Sequence, residues 1–279
     1  MTVGEALAHG TGVLAEAGID TARLEAELLL AKACDDCARA LLYMDLQREL
    51  SPEAEEGYEA LLARRARREP LAYILGHWGF RRLTLKTDAR ALVPRPETEI
   101  VVERALEHLN GMEAPAVLDV GTGTGAIALA IVDEHRQARV TAIDASADAL
   151  ALARENLDLL GTNGRVRLVE HDLTEGLGRD EFDLVVSNPP YVEPEDIETL
   201  QPEVRDWEPR IALVAHGATE AVARAATQAL RPGGWVVLEI AENQAVKVAR
   251  LLTDLGYENL RISPDMAGRD RVIEAQWSR

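Results

Sequence analysis

The residues Asn188, Pro189, Pro190 and Tyr191 follow an apolar run of strand formers at 182–186 and end it abruptly. Two consecutive prolines carry no backbone N–H and fix φ, and a residue ahead of proline is driven into extended backbone. The carbonyls of Asn188 and Pro189 are therefore aimed in set directions. A planar NH2 group, whether amide or exocyclic amine, is a weak nucleophile because its lone pair is delocalised. It needs acceptors for its two protons more than it needs a base. Asn188 Oδ1 and the Pro189 carbonyl can be those acceptors. Tyr191 can lie against the flat group and fix its plane, as in-line attack demands. The four residues thus read as a binding site for such a group while a methyl cation equivalent is delivered. Asn188, Pro189 and Tyr191 do the positioning and Pro190 completes the pocket. The simpler alternative is a proline turn closing a strand.

A donor for that group would have to be held alongside, and the chain has a candidate. Residues 116–120 read as a short buried strand, Gly121, Thr122, Gly123, Thr124 and Gly125 as a glycine loop, and 126 to about 135 as a helix. Backbone can approach a ligand closely over such a loop, and the helix start behind it offers free N–H groups. The loop also satisfies a dinucleotide pattern with alanine last. Asp119 favours a different ligand: a carboxylate two residues before the first glycine suits a cationic end, the ammonium of a methionine moiety, better than a pyrophosphate. A second strand, 139–143, ends in Asp144 at the spacing where an acid reaches ribose hydroxyls. Asp144 can equally be the N-cap of a helix over 145–160. A third strand, 166–170, leads to Asp172, a candidate acceptor for an adenine amino group or simply a strand-end turn, and to Leu173, which would pack on the ring.

The elements that must position these residues read as an open, mostly parallel α/β sheet, in which ligand loops gather at the carboxyl ends of the strands near the switch in strand order. The polar loop over 192–216 is long enough to face a substrate. Beyond it come a helix at 218–230, a turn at Pro232, Gly233 and Gly234, a strand at 235–240, a helix at 243–255 and two last strands near 260 and 271–275. Upstream, residues 1 to about 70 read as helical, with Leu24, Leu28 and Ala31 expected on one apolar face. Ser51 and Pro52 start a helix that ends in Arg64, Arg65, Arg67 and Arg68, either a solvated terminus or a contact surface. The stretch 70–87 alternates as a hairpin does, and Pro96 with the acids after it marks another helix start, at a proline-braced corner that could cover the cofactor domain.

At 279 residues with 47% hydrophobic content the chain is long enough for two domains. A net charge of −18 and an aromatic content of 4% count against a nucleic-acid partner, which needs a basic face and stacking platforms. Apolar runs stop well short of membrane-spanning length and no secretory leader is evident, so a cytoplasmic location is expected. Cys34 and Cys37 form a CxxC without a preceding strand or a second ligand pair and read as reduced bystanders. The six histidines are scattered, and no metal site is expected.

With these residues in place the chain resembles the class I S-adenosylmethionine-dependent methyltransferases. More narrowly it is similar to the HemK family of protein-(glutamine-N5) methyltransferases, which modify the glutamine of the Gly-Gly-Gln motif in peptide chain release factors. The resemblance runs through PLAYILG at 70–76, PRPETE at 94–99, LDVGTGTGAIALA at 118–130, Asp144, NPPY at 188–191, LEI at 238–240 and AGRDRV at 267–272. It implies a Rossmann-like, mostly parallel seven-stranded sheet with helices on both faces. A helical substrate-recognition domain over 1–72, a connecting hairpin over 73–93 and a catalytic domain over 94–279 are expected. The cofactor is S-adenosyl-L-methionine, contacted by Gly121 to Gly125, Asp144, Leu173 and Asn188, with the glutamine side chain on Asn188 to Tyr191. The partner is a release factor, with no stable nucleic acid and no membrane, and the chain is expected to be a monomer. NPPY is shared with enzymes that methylate adenine, so adenine-N6 methylation of nucleic acid is an alternative, as is a ribosomal-protein glutamine. PRPETE favours the release-factor branch. Two departures from the family pattern are Gly79, where an acid is usual, and AHGATEAV at 215–222.

Overall fold

Helix signals at the amino end translate directly into structure. The computed structural model describes residues 1–162, 164–177, 182–214 and 216–278, so the first residue of the departing stretch, Ala215, lies outside the described residues. Met1–Gly76 together with Gln201–Trp207 form one compact unit, and His77–Leu200 with Glu208–Arg279 form a second.

In the first unit α1 (Val3–Glu16) opens with a reciprocal cap: Thr2 Oγ1 accepts the Glu5 N–H and the Glu5 carboxylate accepts the Thr2 N–H. After α2 (Ala22–Ala33) and the single turn α3 (Arg39–Leu42), α4 (Pro52–Ala66) starts where expected, with the Ser51 hydroxyl accepting from the Ala54 N–H. The short α5 (Leu71–Leu75) stops at Gly76, whose φ of 78° a residue with a Cβ adopts only under strain. The apolar face of α2 differs from the expected one. Leu24 is 42% exposed and Leu28 half-buried, whereas Ala31 is buried as expected, together with Ala22, Ala26, Leu29 and Leu30. The reason lies in the partners of two acids on that helix. Glu25 is buried against Arg65, and Glu27 against Arg23 and the Tyr43 hydroxyl, which rotates Leu24 outward.

The second unit begins with an antiparallel hairpin, β1 (His77–Phe80) and β2 (Leu83–Lys86). Next come α6 (Thr98–Leu109), β3 (Ala116–Val120), α7 (Ala126–Glu134), β4 (Arg139–Asp144), α8 (Ala147–Leu160), β5 (Val166–Glu170) and β6 (Phe182–Ser187). The chain then runs through α9 (Pro202–Trp207), which belongs to the first unit, to α10 (Ala218–Ala229), β7 (Leu230–Glu239), α11 (Ala245–Leu255), β8 (Tyr257–Pro264) and β9 (Asp270–Trp277). The polar stretch expected as a loop over 192–216 thus holds short helical turns, at Pro194–Thr199, α9 and Arg210–Ala212.

Seven strands make one sheet in the order β5-β4-β3-β6-β7-β9-β8, parallel except for β9, which runs antiparallel to both its neighbours. Alternation along the strands divides the core into two layers. Val117, Val140, Leu184 and Val237 pack with α6 and α7 on one face, and Leu118, Val185, Leu238 and Ile273 pack with α10 and α11 on the other. Helices on both faces and a parallel centre are what the near-continuous apolar strands 116–120 and 182–187 require. The strand order reverses between β3 and β6, the position at which a crevice forms at the carboxyl ends.

Of the four arginines closing α4, Arg67 is exposed and the other three are held by internal partners. Arg64 pairs with Glu69, Arg65 with Glu25 and Glu203, and Arg68 with Glu203 and the carbonyls of Ala17 and Gly18. Glu203 stands on α9, so two guanidiniums hold this late segment within the first unit.

Asp119, on β3, has no exposed surface. Its Oδ2 accepts the Thr122 hydroxyl at 2.6 Å, while its Oδ1 has no hydrogen-bond partner among the described residues. Burial pushes this carboxyl up to about 7, with the charge of Asp144 adding to the effect and the Thr122 hydroxyl opposing it.

Two stability predictions follow from these contacts. A methyl at Gly10 of α1 would overlap the hydroxyl of the buried Tyr58 and stand 2.8 Å from its Cζ. Gly10→Ala is therefore expected to lower stability by about 1–2 kcal/mol despite alanine's helix preference, read by denaturant unfolding; a stabilised variant would show that Tyr58 moves freely. Asp119 binds its proton more tightly in the folded than in the unfolded chain, where its ordinary value is 3.8. The stability it contributes is complete below that value and is lost as pH rises through about 7. Without cofactor, Asp119→Asn should gain on the parent between about pH 4 and about pH 8, by at most about 4 kcal/mol. A difference that stays flat across that range would contradict the assignment.

Candidate active site

The switch in strand order is fixed by pairing at the ends of β3 and β6. Val120 and Ser187 are register partners, and the buried Ser187 hydroxyl donates to the Val120 carbonyl at 2.7 Å. The next residues on the two strands, Gly121 and Asn188, therefore leave the sheet side by side. The N–H groups of Gly121 and Thr122 both donate to the Ile143 carbonyl of β4, which turns the chain back over the sheet edge. That turn puts Gly121 at φ 72° and Gly123 at φ 55°, in the left-handed region where glycine carries no Cβ penalty.

One cavity of about 220 Å³ lies over these strand ends. Gly121, Thr122, Gly123 and Thr124 line it, as do Asp144, Leu173, Asn188, Pro189 and Pro190. Its walls also include Val93, Pro94 and Arg95 of the proline-braced corner, Thr98 of α6, and Ile211 and Ala212 from beyond α9. Three expected site residues are not among those lining it. Gly125 lies behind the loop at the start of α7, where a Cβ would press on Leu129 at 3.1 Å, so it serves helix packing. The Asp172 side chain is exposed. Tyr191 points its hydroxyl to Glu239 Oε1 at 3.2 Å. Asp119, read as a receptor for an ammonium group, is fully buried and bonds the glycine loop from beneath. The alternation of β3 turns its side chain into the core and away from the cavity.

Asp144 is held by its neighbours before any ligand arrives. Its Oδ2 accepts the Gly123 N–H at 2.9 Å and its Oδ1 the Ser146 N–H at 2.9 Å. Burial raises its pKa, and the backbone donors oppose the rise. The helix behind it is capped by Ser146 and begins at Ala147, two residues later than expected, so Asp144 is not its cap. This leaves a carboxylate at the cavity wall between a bare backbone turn and the apolar side chains of Ile143, Ala149 and Leu173. Such a lining fits a nucleoside: an acceptor for a diol, an apolar slot for a base, and a side-chain-free turn where an amino-acid tail can approach.

Around Asn188 the structure adds two residues that the sequence reading passed over. The Asn188 Nδ2 donates to Thr98 Oγ1 at 3.0 Å, and the Thr98 hydroxyl donates to Glu239 Oε2 at 2.6 Å. Glu239 is 1% exposed and Thr98 4% exposed. Burial lifts the Glu239 carboxyl above its ordinary range, the two hydroxyls and the charge of Arg271 opposing it. The same carboxylate takes the Tyr191 hydroxyl, whose own pKa is raised, chiefly by burial. A glutamate inside the apolar strand run 236–240 was the available signal, since a buried charge needs partners. Thr98 gives no such signal, because PRPETE reads as a helix start. The helix in fact begins at Thr98, after two tight turns in which Thr98 and Glu99 donate to the carbonyls of Arg95 and Pro96. Arg95 of that corner is fixed by the buried Glu208 at 2.6 Å.

No group of His, Cys, Asp and Glu among the described residues is arranged to hold a metal ion, and Cys34 and Cys37 are free thiols. No helix among the described residues is long and apolar enough to cross a membrane.

Residues 5–76 match the PrmC N-terminal domain model and residues 98–203 the methyltransferase small domain model. In fold, the chain is similar to a SAM-dependent O-methyltransferase from Thermotoga maritima, with a TM-score of 0.52 over 70% of this chain and 73% of that one at 15% identity. The release factor glutamine methyltransferase of Caulobacter vibrioides is 42% identical over 93% of this chain and 91% of its own length. That of Geobacter sulfurreducens is 41% identical over 98% of this chain and 95% of its own. Identity at this level, sustained nearly from end to end, shows that the chain belongs to the release factor glutamine methyltransferase family.

Proposed function

We propose that the protein methylates the side-chain amide nitrogen of the glutamine in the Gly-Gly-Gln motif of peptide chain release factors. The observation that carries this reading is the position of Asn188, at the carboxyl end of β6 beside the glycine loop, with its NH2 already committed to Thr98. Its Oδ1 then remains to accept from an incoming NH2 group, and the Pro189 carbonyl takes the second proton. Pro190, which lines the cavity, holds the carboxamide plane, and Tyr191, outside the lining with its hydroxyl on Glu239, steadies the backbone that carries it.

S-adenosylmethionine, when bound, would supply a sulfonium-activated methyl group, the bond to the amide nitrogen forming as the S–CH3 bond breaks and the neutral thioether leaves. Gly121, Thr122, Gly123 and Thr124 give the close backbone approach, Asp144 accepts from the ribose hydroxyls, and Leu173 covers the base. Asp172, exposed at the end of β5, serves the adenine amino group only if the adjoining turn folds inward on binding. The surplus proton on the product amide leaves to water, so the residues around it are needed as acceptors and not as a base.

The helical domain, expected over 1–72 and compact over Met1–Gly76 with α9, is assigned to recognition of the release factor; the hairpin expected as a connector within 73–93 opens the second unit, which carries the catalytic domain expected over 94–279. A net charge of −18 supports a protein partner over a phosphate backbone. We place the protein in the cytoplasm as a monomer without a stable nucleic-acid partner.

Incubating the protein with a release factor and methyl-labelled cofactor should add one methyl to the Gly-Gly-Gln peptide, located by fragment mass spectrometry. Label appearing on nucleic acid, and none on the release factor, would overturn the reading. Asn188→Ala should lower turnover by about two to three orders of magnitude. Cofactor affinity, measured by calorimetry, should barely change. Turnover close to the parent would remove Asn188 from the reaction.

A further inference from the structure

The hydrogen bonds behind Asn188 have a direction, and the direction is set by the group at their far end. A carboxylate only accepts, so Glu239 Oε2 accepts a hydrogen bond from the Thr98 hydroxyl at 2.6 Å. Thr98 Oγ1 then has lone pairs alone to offer toward Asn188. An asparagine amide facing two lone pairs turns its NH2 to them, which is the orientation found, with Nδ2 at 3.0 Å. The amide oxygen is thereby turned to the opposite side. A lone asparagine at a cavity wall has no such preference, because its oxygen and nitrogen ends are nearly the same shape, and the flipped form would present two donors to a substrate that is itself a donor.

We propose that Thr98 and Glu239 are positioning residues that fix the polarity of Asn188, so that Oδ1 and not Nδ2 faces the substrate amide. The proposal rests on the reading of Asn188 given above. The elements involved lie far apart in sequence. Thr98 opens α6, Glu239 closes β7 and Asn188 follows β6. Burial of the glutamate and threonine keeps water from competing for these bonds. Arg271 of β9 donates to the Ile240 carbonyl and places a positive charge near the carboxylate without occupying either oxygen, both of which accept hydroxyls. The second of those hydroxyls belongs to Tyr191, so one carboxylate also fixes the tyrosine relative to Asn188.

The Thr98 position separates this role from ordinary packing, because valine is nearly isosteric with threonine and serine keeps the hydroxyl. Thr98→Val should lower kcat by about 10- to 100-fold, with the KM for release factor and the cofactor Kd within about threefold of the parent. Thr98→Ser should recover kcat to within about threefold. Glu239→Gln, which can turn an NH2 toward Thr98, should also lower kcat. In an Asn188→Ala background Thr98→Val should cost nothing more, since it acts only through the amide it orients. The relay is overturned if Thr98→Val keeps parental kcat, if serine fails to restore it, or if valine costs the same factor in both backgrounds. Asn188→Ala by itself decides the underlying reading: an unimpaired single variant refutes the role of Asn188, whereas an impaired one with additive Thr98 effects refutes only the relay. Thermal unfolding of each variant separates misfolding from a local loss, and Thr98→Ser supplies the comparison if valine destabilises the fold.

Discussion

The parallel pairing of β3 with β6 is the constraint on which the site depends. These strands are separated in sequence by two further strands and two helices, yet they are neighbours at the centre of the sheet, where the strand order reverses. Register there is strongly specified, because both faces of each strand are buried and a slip of one residue would exchange the two core layers. The Ser187 hydroxyl on the Val120 carbonyl adds a side-chain bond at the last paired position. What leaves the sheet at that point is a glycine turn on one strand and a proline-locked asparagine on the other. The two keep their shape for different reasons: the turn, whose glycines are free by themselves, is tied by the Gly121 and Thr122 N–H groups to the Ile143 carbonyl, and the prolines permit few other φ values.

Buried carboxylates supply the second level of order. Asp119 holds the glycine loop from beneath through Thr122, and Glu239 gathers Thr98 and Tyr191 around Asn188. In a low-dielectric interior such groups are costly unless hydrogen-bonded, and once bonded they impose direction on their neighbours. The two differ in completeness. Both oxygens of Glu239 have hydroxyl donors, whereas only one oxygen of Asp119 has one, and burial raises the pKa of both carboxyls. Glu208 plays a third part, fixing Arg95 of the PRPETE corner at the cavity wall.

The first unit shows how an acidic chain uses its arginines. Arg64, Arg65 and Arg68 are spent on Glu69, Glu25 and Glu203, so the basic cluster that stands out in the sequence provides internal links. Arg65 and Arg68 both reach Glu203, 138 and 135 positions along the chain, and account for a short helix from the midst of the catalytic sequence lying with the amino-terminal helices.

Much of this was legible beforehand because it depends on local chemistry. Apolar strands, a glycine turn before a helix, serine and proline at the start of α4, and the locked NPPY backbone are each dictated by neighbours in sequence. They were enough to read an α/β sheet, a nucleoside loop and a holder for a planar NH2 group. The misreadings share one cause. The exposed face of α2, the buried position of Asp119, the internal arginine pairs and the late start of α8 all turn on which residue meets which across the fold. The roles of Thr98 and Glu239 could be settled only in three dimensions, for the polarity of a hydrogen bond is set by its far end. Here that end lies 141 residues along the chain from the threonine it directs. The sequence by itself determined the kinds of groups present and the rigidity of the backbone that carries them; tertiary structure decided their partners, because burial and hydrogen-bond direction depend on atoms that only folding brings together.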